Sequence, residues 1–227
     1  NPDSPGSGSG GRSGAGTGAN GGGWIRIEAS GLLTVNGVVT ANGGTPGDSF
    51  GGGGSGGSIM LQCRTVTGAG LVSAGGGTGN TDGGNMGGGG SGGRIALAYN
   101  TTAQSNLNAT ARPAIQFAAN AGWAHNGSTL VEENAYVRDN GYRWFSGEAG
   151  TIYLSDDSFF PPPACQGGNV VIPGGMNAAL NSFTISNGIL SLPSGARLTV
   201  TNNLTIAGNF AGLKTTNGTL SVGGNLS

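Results

Sequence analysis

The chain has 227 residues, of which 51 are glycine, 8% are charged and 35% are hydrophobic, and its formal net charge is −1. Nine prolines without glycine at every third position exclude collagen, and the net charge near zero is unlike that of most disordered chains. The few basic residues form no patch suited to nucleic acid, and no apolar run approaches the roughly 18 residues of a membrane span. We therefore expect neither nucleic-acid binding nor membrane insertion.

A strand motif, Gly-x-Ile-x-hydrophobic, occurs four times in the first two thirds of the chain. Its copies are GWIRI, GSIML, GRIAL and GTIYL, with the isoleucines at Ile25, Ile59, Ile95 and Ile152. Alternation within the motif predicts β-strands, and two shorter strands follow the first two copies. No segment predicts a helix of useful length. A repeat of short strands with glycine-rich loops predicts a β-solenoid in which the isoleucines stack inside.

Glycine blocks such as GGGGSGG (51–57) come directly before these strands. A flexible linker would keep no register with the strands, so the repeated register favours a folded element. The glycines could pack against neighbouring repeats or project as loops. Because glycine has no side chain and permits close backbone approach, we predict that they are packed.

The repeat is interrupted near residues 103–146, which we predict to be an irregular insertion. It contains the single histidine, His125, and the aromatic residues Trp123, Tyr142 and Trp144. These rings could form a platform for a sugar or fill a small separate core. The proline-containing stretch SDDSFFPPPACQGG then predicts a rigid junction.

A second repeat begins near residue 161. SFTISNGI, which starts at Ser182, aligns with NLTIAGNF at Asn203, and ARLTVTNNLT at Ala196 aligns with GTLSVGGNLS at Gly218. We therefore divide the chain into a glycine-rich β-solenoid at 1–160 and a second β-helix segment at 161–227 with 21–22-residue coils. The residues predicted to point inward are Phe183, Ile185, Leu190, Leu192, Leu198, Val200, Leu204, Ile206, Leu220 and Val222.

The stretch LPSGARLTVTNNLTIAGNF resembles the parallel β-helix repeats of large bacterial secreted and surface proteins. The first-half unit with GGGGSGGSIML and GAGLVSAGGG resembles the glycine-rich repeats of such exported proteins. This resemblance implies a right-handed parallel β-helix, secretion, and a structural or adhesive role. It implies no catalytic residue. The predicted fold class is all-β, a parallel β-helix with glycine-rich coils and one irregular insertion.

Acidic residues bear on a possible enzymatic role because glycosidases use paired carboxylates. Adjacent pairs occur at Glu132 with Glu133 and at Asp156 with Asp157, but no acid repeats at the coil period. Asp82 lies in a glycine-rich stretch without the tandem motif of a calcium β-roll. We expect no catalytic residue, metal or cofactor, and a protein that is not an enzyme.

Outward threonines raise ice binding as a weaker alternative. Thr199, Thr201 and Thr205 alternate with predicted inward residues. The next coil has serine or glycine at the corresponding positions, so the row of threonines ends after one coil.

Export would be consistent with candidate N-glycosylation sequons and a disulfide. The sequons lie at Asn100, Asn108, Asn126, Asn203, Asn217 and Asn225. Cys63 and Cys165 match no metal or redox motif. They are candidates for a disulfide, and the alternative for Cys63 is a small buried hydrophobic residue.

These features favour an extracellular structural β-solenoid, either a subunit of a self-assembling fibre or the stalk of a surface adhesin. The sequence resembles the middle of a repeat at both of its ends. We expect its partners to be identical subunits joined head to tail or further solenoid of the same chain, with glycans as a further possibility. The alternative is a carbohydrate-active β-helix enzyme or a sugar-binding module.

Overall fold

The protein is described by a computed structural model that covers residues 2–11, 16–47, 50–80, 87–110, 113–126, 129–131, 136–139, 142–156, 158–159, 168–171, 174–186, 188–207 and 211–227. Within these ranges only the backbone is described at 125–145, 168–169, 186 and 188. This described part of the chain is mainly β-structure and contains one α-helix. The all-β expectation is therefore confirmed at this level.

The strands are short and follow one another closely along the chain. The first thirteen are β1 (Trp24–Glu28), β2 (Leu32–Thr34), β3 (Val38–Thr40), β4 (Ser58–Gln62), β5 (Thr65–Thr67), β6 (Leu71–Ser73), β7 (Arg94–Ala98), β8 (Gln116–Ala118), β9 (Ala124–Asn126), β10 (Thr129–Val131), β11 (Tyr136–Asp139), β12 (Tyr142–Phe145) and β13 (Thr151–Leu154). The others are β14 (Gly168–Val171), β15 (Asn177–Leu180), β16 (Phe183–Ser186), β17 (Gly188–Leu192), β18 (Arg197–Val200), β19 (Leu204–Ala207), β20 (Gly212–Thr215) and β21 (Thr219–Val222). The helix α1 (Thr101–Asn108) follows β7.

One seven-stranded parallel sheet contains strands from both halves of the chain, in the order β1-β4-β7-β13-β14-β17-β20. Apolar residues pair across all seven strands in a single row. This inner row consists of Ile25, Ile59, Ile95, Ile152, Val170, Leu190 and Leu213. Ile59, Ile95 and Ile152 are almost completely buried. The predicted isoleucine ladder is confirmed.

Four shorter parallel sheets contain the strands that follow those of the large sheet. Their orders are β2-β5, β3-β6-β8, β15-β18-β21 and β16-β19. Phe183 pairs with Leu204, and Leu198 pairs with Leu220, so both alignments predicted for the second repeat correspond to real strand pairs. The inner residues of all these sheets belong to one hydrophobic core.

The predicted insertion contains regular structure. β8 pairs in parallel with β6, and two antiparallel pairs follow, β9 with β10 and β11 with β12. β13 then returns to the large sheet beside β7. The exact boundaries of the two predicted domains stay a prediction.

Helix α1 is not predicted by the sequence. Asn100 caps it, because its side-chain oxygen accepts a hydrogen bond from the Ala103 N–H at 2.9 Å. The position of α1 is explained by the contacts of the Gln104 side chain, which is fully buried. The Gln104 amide accepts from Val66 N–H at 2.7 Å and donates to Val66 C=O at 3.0 Å. The side chain thus occupies the place of a neighbouring strand beside β5.

The glycine blocks form extended segments with a three-residue hydrogen-bond period. In the segment 51–57, Gly53 N–H donates to Gly88 C=O at 2.9 Å, and Gly56 N–H donates to Ser91 C=O at 2.8 Å. A β-strand would return to the same neighbour every two residues, whereas a polyproline-II helix has three residues per turn. The period therefore indicates polyproline-II-like glycine segments that pair with each other.

The same segment bonds a second neighbour with the same period. Gly54 N–H donates to Gly44 C=O at 2.9 Å, and Gly57 N–H donates to Ala41 C=O at 2.7 Å. Segments bonded on several sides form a layer, which we call the glycine layer, built from residues 6–10, 19–23, 41–44, 51–57, 74–79, 87–93, 119–122 and 147–150. Its hydrogen bonds satisfy backbone N–H and C=O groups that no side chain covers.

Close contacts explain why these positions are glycine. A Cβ atom added at Gly77 would lie 1.8 Å from the Gly44 carbonyl oxygen, and one at Gly93 would lie 2.0 Å from that of Gly57. Such distances are far below van der Waals contact, so any side chain would push the segments apart. The prediction of packed glycine is confirmed, and the alternative of projecting glycine loops is wrong for these segments.

Candidate functional site

One set of strand edges is open at β1, β2 and β3, each of which is the outermost strand of its sheet. Ala29 N–H donates to Gln62 C=O at 2.8 Å, toward β4. Because successive N–H groups of a strand point in opposite directions, those of Arg26 and Glu28 point away from β4. Within the described part of the chain, no strand lies on that side.

A second set of open edges occurs at β20, β21 and residues 225–227. Thr216 N–H donates to Leu192 C=O at 2.9 Å, so the Leu213 N–H points away from β17. In β21, the Leu220 N–H points away from β18 by the same alternation. Beside these edges, too, the described residues place no further strand.

The core is least covered at both sets of edges. Inner apolar residues there are only partly buried, in contrast to their nearly inaccessible counterparts in the middle of the sheets. They are Ile25, Ile27, Leu33 and Val39 at one edge and Ile206, Leu213, Leu220 and Val222 at the other. Two apolar side chains on these edge segments are largely exposed, Val38 of β3 at 67% and Leu226 of residues 225–227 at 62%. Open backbone and exposed core together mark both edges as candidate contact surfaces.

A groove of about 410 Å³ lies on the outer face of the large sheet, over β7 and β13. It is lined by Pro2, Arg94, Ile95, Ala96, Thr151 and Tyr153. Tyr153 is 43% exposed, and the outer face of β1 carries the 48% exposed Trp24, whose indole N–H donates to the Pro2 carbonyl at 3.2 Å. Concave sites of this size with few polar groups commonly bind small ligands.

Sequence reasoning missed Arg94 and Tyr153 as candidate binding residues. Both occupy variable positions of the Gly-x-Ile-x-hydrophobic motif, in GRIAL and GTIYL. Alternation places these positions on the outer face, opposite the isoleucines. The motif therefore contained the information, but the outer positions of successive repeats had to be compared across the sheet.

A partly buried polar contact joins Tyr99, which follows β7, to the loop after β13. The Tyr99 hydroxyl donates to the Asp156 carboxylate, which also accepts from Ser158 N–H at 2.8 Å. The Phe159 ring meets Tyr99 edge-on, with 5.4 Å between ring centroids. Burial raises the pKa of Tyr99 well above its usual range, and the hydrogen bond to Asp156 adds to the rise. Asp156 thus has a structural partner, whereas Asp157 lies outside the described residues.

Most side chains of the other residues considered for chemistry are not described, although β9 and β12, which carry three of these residues, lie next to each other. Trp123 is exposed beside β9, and His125 lies in β9 with only its backbone described. Tyr142 and Trp144 belong to β12 and are also described by backbone alone. The acids Asp82, Glu132 and Glu133 lie outside the described residues. Across the residues that are described, no group of three or more potential metal ligands occurs.

The six sequons lie in different surroundings. Asn100, Asn203, Asn217 and Asn225 are exposed, and Asn126 ends β9. Asn108 is half-buried, and its side-chain nitrogen donates to Ser158 C=O at 3.0 Å. Because a glycan would be attached to this nitrogen, Asn108 is the described sequon least suited to modification.

Cys63 is a buried free thiol. Burial raises its pKa to about 11 from the ordinary value of 9.0. Cys165, the other member of the predicted disulfide, lies outside the described residues, and Cys63 has no disulfide partner among those that are described.

The threonine row has mixed neighbours. Thr199 pairs with Ala179 and Ser221, and Thr205 pairs with Thr184 on one side. Thr201 donates to Leu180 C=O at 3.3 Å at the end of β18. No continuous row of threonines forms on these strands.

No family model, curated protein or solved structure matches this chain. Among the described residues, no helix is long and apolar enough to cross a membrane. The functional conclusion therefore depends on the strand edges, the glycine layer and the groove.

Proposed function

We propose that the chain is an extracellular structural β-solenoid, a subunit of a fibre or the stalk of a surface adhesin. The observation that carries this proposal is the inner row that runs from Ile25 to Leu213 across seven parallel strands. The chain returns to this sheet repeatedly, and after β1, β4, β14 and β17 it visits two shorter parallel sheets in the same order. After β7, α1 stands where the first of these strands would be. Each return corresponds to one coil of a parallel β-helix.

A structural role is supported by the way the coils are held together. The inner row excludes water along the sheet, and the glycine layer adds a second hydrogen-bonded wall of extended segments. Both join successive coils, as in the bonds from Gly53 to Gly88 and from Gly56 to Ser91, so they favour a rigid repeat array. Export is supported by the resemblance to secreted proteins and by exposed sequons such as Asn100 and Asn203.

Disulfide trapping tests the coil register. In a variant with Cys63 and Cys165 replaced by alanine, T199C and S221C would face each other on β18 and β21. Their Cα atoms would be about 4.8 Å apart, within the range that a disulfide spans. The control R197C with S221C is offset by two residues, or about 8 Å, and should stay reduced. Equal oxidation of both pairs would contradict the β-helix.

Surface labelling tests the proposed location and role. An antibody against the chain should label the outside of intact cells that produce it. The mass of the native protein should then reveal whether a sequon is modified. Labelling only after the cells are opened would contradict the extracellular role.

Carbohydrate binding is a second candidate, favoured by the groove that Arg94 and Tyr153 line. Aromatic faces can stack on the C–H face of a sugar, and Arg94 can donate hydrogen bonds to its oxygens. In a polysaccharide panel, Y153A should reduce binding at least about tenfold, whereas W123A should retain it. Loss with W123A alone would instead indicate the platform predicted from the sequence. Release of reducing ends would indicate an enzyme.

A further inference from the structure

We propose that identical copies of this chain associate head to tail, with β20, β21 and residues 225–227 of one copy pairing in parallel with β1, β2 and β3 of the next. This inference rests on the proposed β-solenoid and names its partner as a second copy. In this contact, the parallel strand pairing of one copy continues directly into that of the next.

In the parallel strand pairs whose connecting hydrogen bonds are described, the choice of bonding residues follows one rule. The strand that comes earlier in the chain uses the backbone groups of its inner residues, and the later strand uses those of its outer residues. At β1 and β4, Ser58 N–H donates to Gly23 C=O at 3.0 Å, and Ala29 N–H donates to Gln62 C=O at 2.8 Å. At β18 and β21, Thr219 N–H donates to Ala196 C=O at 2.9 Å.

The two sets of open edges satisfy this rule. β20 and β21 present inner residues, including Leu213 and Leu220, as an earlier strand would. β1 and β3 present outer residues, including Arg26 and Val38, as later strands would. Donors and acceptors therefore meet without a one-residue slip, which would turn the core side chains toward solvent.

The spacing of the strands also matches. Ile27, Leu33 and Val39 are six residues apart on β1, β2 and β3, and Leu213, Leu220 and Leu226 are seven and six apart. The interval from Ile25 to its partner Ile59 is one residue longer than the interval from Leu33 to its partner Val66. Strand pairs inside the subunit therefore already accommodate a difference of one residue in the spacing of consecutive strands. All three sides could therefore pair at once.

The exposed surfaces are complementary in polarity and charge. The partly buried inner residues at both edges are apolar, so pairing would complete the core between copies. If Leu213 faces Ile27 of the next copy, Lys214 lies beside Glu28, and these opposite charges favour this register. Alignment with Ile25 would instead place Lys214 beside Arg26. Contacts of this kind do not close into a ring by themselves and extend as a filament.

Directional cross-linking tests the inference on the full chain, in the alanine background for Cys63 and Cys165. A mixture of K214C protein with E28C protein should give disulfide-linked dimers on mild oxidation, whereas each protein alone should stay monomeric on a denaturing gel. Efficient cross-linking of K214C or of E28C with itself would overturn the head-to-tail arrangement.

Association is measured by sedimentation over a concentration series and by electron microscopy of the unmodified chain. We expect filaments with an axial repeat of about 34 Å, from seven strands at about 4.8 Å each. R26P and V38P remove outward-pointing N–H groups without breaking bonds inside the subunit, and should raise the dissociation constant at least tenfold relative to R26A and V38A.

The outcomes distinguish the inference from the proposed function. Monomers at every concentration, together with the T199C–S221C disulfide, would overturn head-to-tail association and leave the β-solenoid intact. Absence of that disulfide would overturn both. Equal association of the proline and alanine variants would show that the contact does not use these strand edges.

Discussion

At the scale of single residues, the glycine layer depends on the absence of Cβ atoms. Backbone carbonyls occupy the space where side chains would begin, as at Gly77 and Gly44. Glycine loses much conformational freedom on folding, so such a layer is unfavourable unless its hydrogen bonds and contacts compensate. The three-residue bonding period provides this compensation, because each segment can pair with several neighbours.

The G77A variant should lose about 3 kcal/mol of stability, because backbone cannot move aside as a flexible side chain can. The control is G37A, since a Cβ atom at Gly37 would meet nothing within 4 Å. Its stability should change by less than about 1 kcal/mol. Urea unfolding measures both. Similar losses in the two variants would mean that the glycine layer is not closely packed.

Alkaline pH should destabilise the protein through Cys63 and Tyr99. The folded state raises the pKa of the Cys63 thiol from 9.0 to about 11, so the folded protein retains a proton that the unfolded chain releases. This contribution to stability is complete below pH 9 and is lost as the pH rises toward 11. The raised pKa of Tyr99 acts in the same direction above about pH 10.

The C63A variant should therefore show a shallower fall in unfolding free energy between pH 9 and 11 than the unmodified protein. Urea unfolding at pH 8, 9, 10 and 11 provides the comparison, and Y99F should reduce the slope mainly at the highest pH. Parallel curves for C63A and the unmodified protein would show that Cys63 does not titrate with folding.

At the scale of elements, α1 replaces a strand by means of one side chain. The N–H and C=O groups of Val66 both point away from β2, and the Gln104 amide pairs with both. Asn108 extends this network by accepting from Gln104 at 2.9 Å. A buried amide with all its partners is stabilising, whereas its loss leaves two buried backbone groups without partners.

The Q104M variant keeps the side-chain length but removes these bonds, so we expect a loss of about 3 kcal/mol. S105A, at an exposed position of the same helix, should change stability by less than about 0.5 kcal/mol. Thermal and urea unfolding compare the two variants. A neutral Q104M would indicate that water or another group satisfies Val66.

Strand β4 could be predicted from the sequence, whereas α1 could not. Ile59 and Leu61 alternate with outward residues and recur in other repeats, so local pattern and repeat agree. The segment TTAQSNLN lacks an apolar stripe and holds its place through one buried glutamine. Its helical state depends on Val66, 38 residues earlier, and no local pattern records that contact.

At the scale of the whole molecule, the burial of the inner side chains increases from the open edges toward the middle of the large sheet. Arg26 on β1 and Arg94 on β7 both occupy outer positions of the strand motif, Arg26 at the edge of the sheet and Arg94 in its interior. The Arg94 N–H donates to Gly57 C=O at 2.8 Å, whereas the Arg26 N–H points to the open side of β1. Local opening should therefore be easiest at the outer strands.

Hydrogen exchange on dilute protein should show the Arg94 amide protected about a thousandfold or more relative to that of Arg26. Repeating the measurement at high concentration adds a test of assembly, because head-to-tail pairing would protect Arg26 as well. Equal protection of both amides in dilute protein would contradict an open edge at β1.

The sequence by itself determined which residues line the core and how the repeats align, because alternation and repeat spacing are recorded in the order of residues. Ile59 beside Ile95 and Phe183 beside Leu204 follow from these patterns. Only the tertiary structure decided the bonding period of the glycine layer, the use of α1 beside β5, and the groove over Arg94 and Tyr153. Each of these arises from segments far apart in the chain that meet through backbone groups or outward side chains, and hydrophobic alternation does not record such contacts.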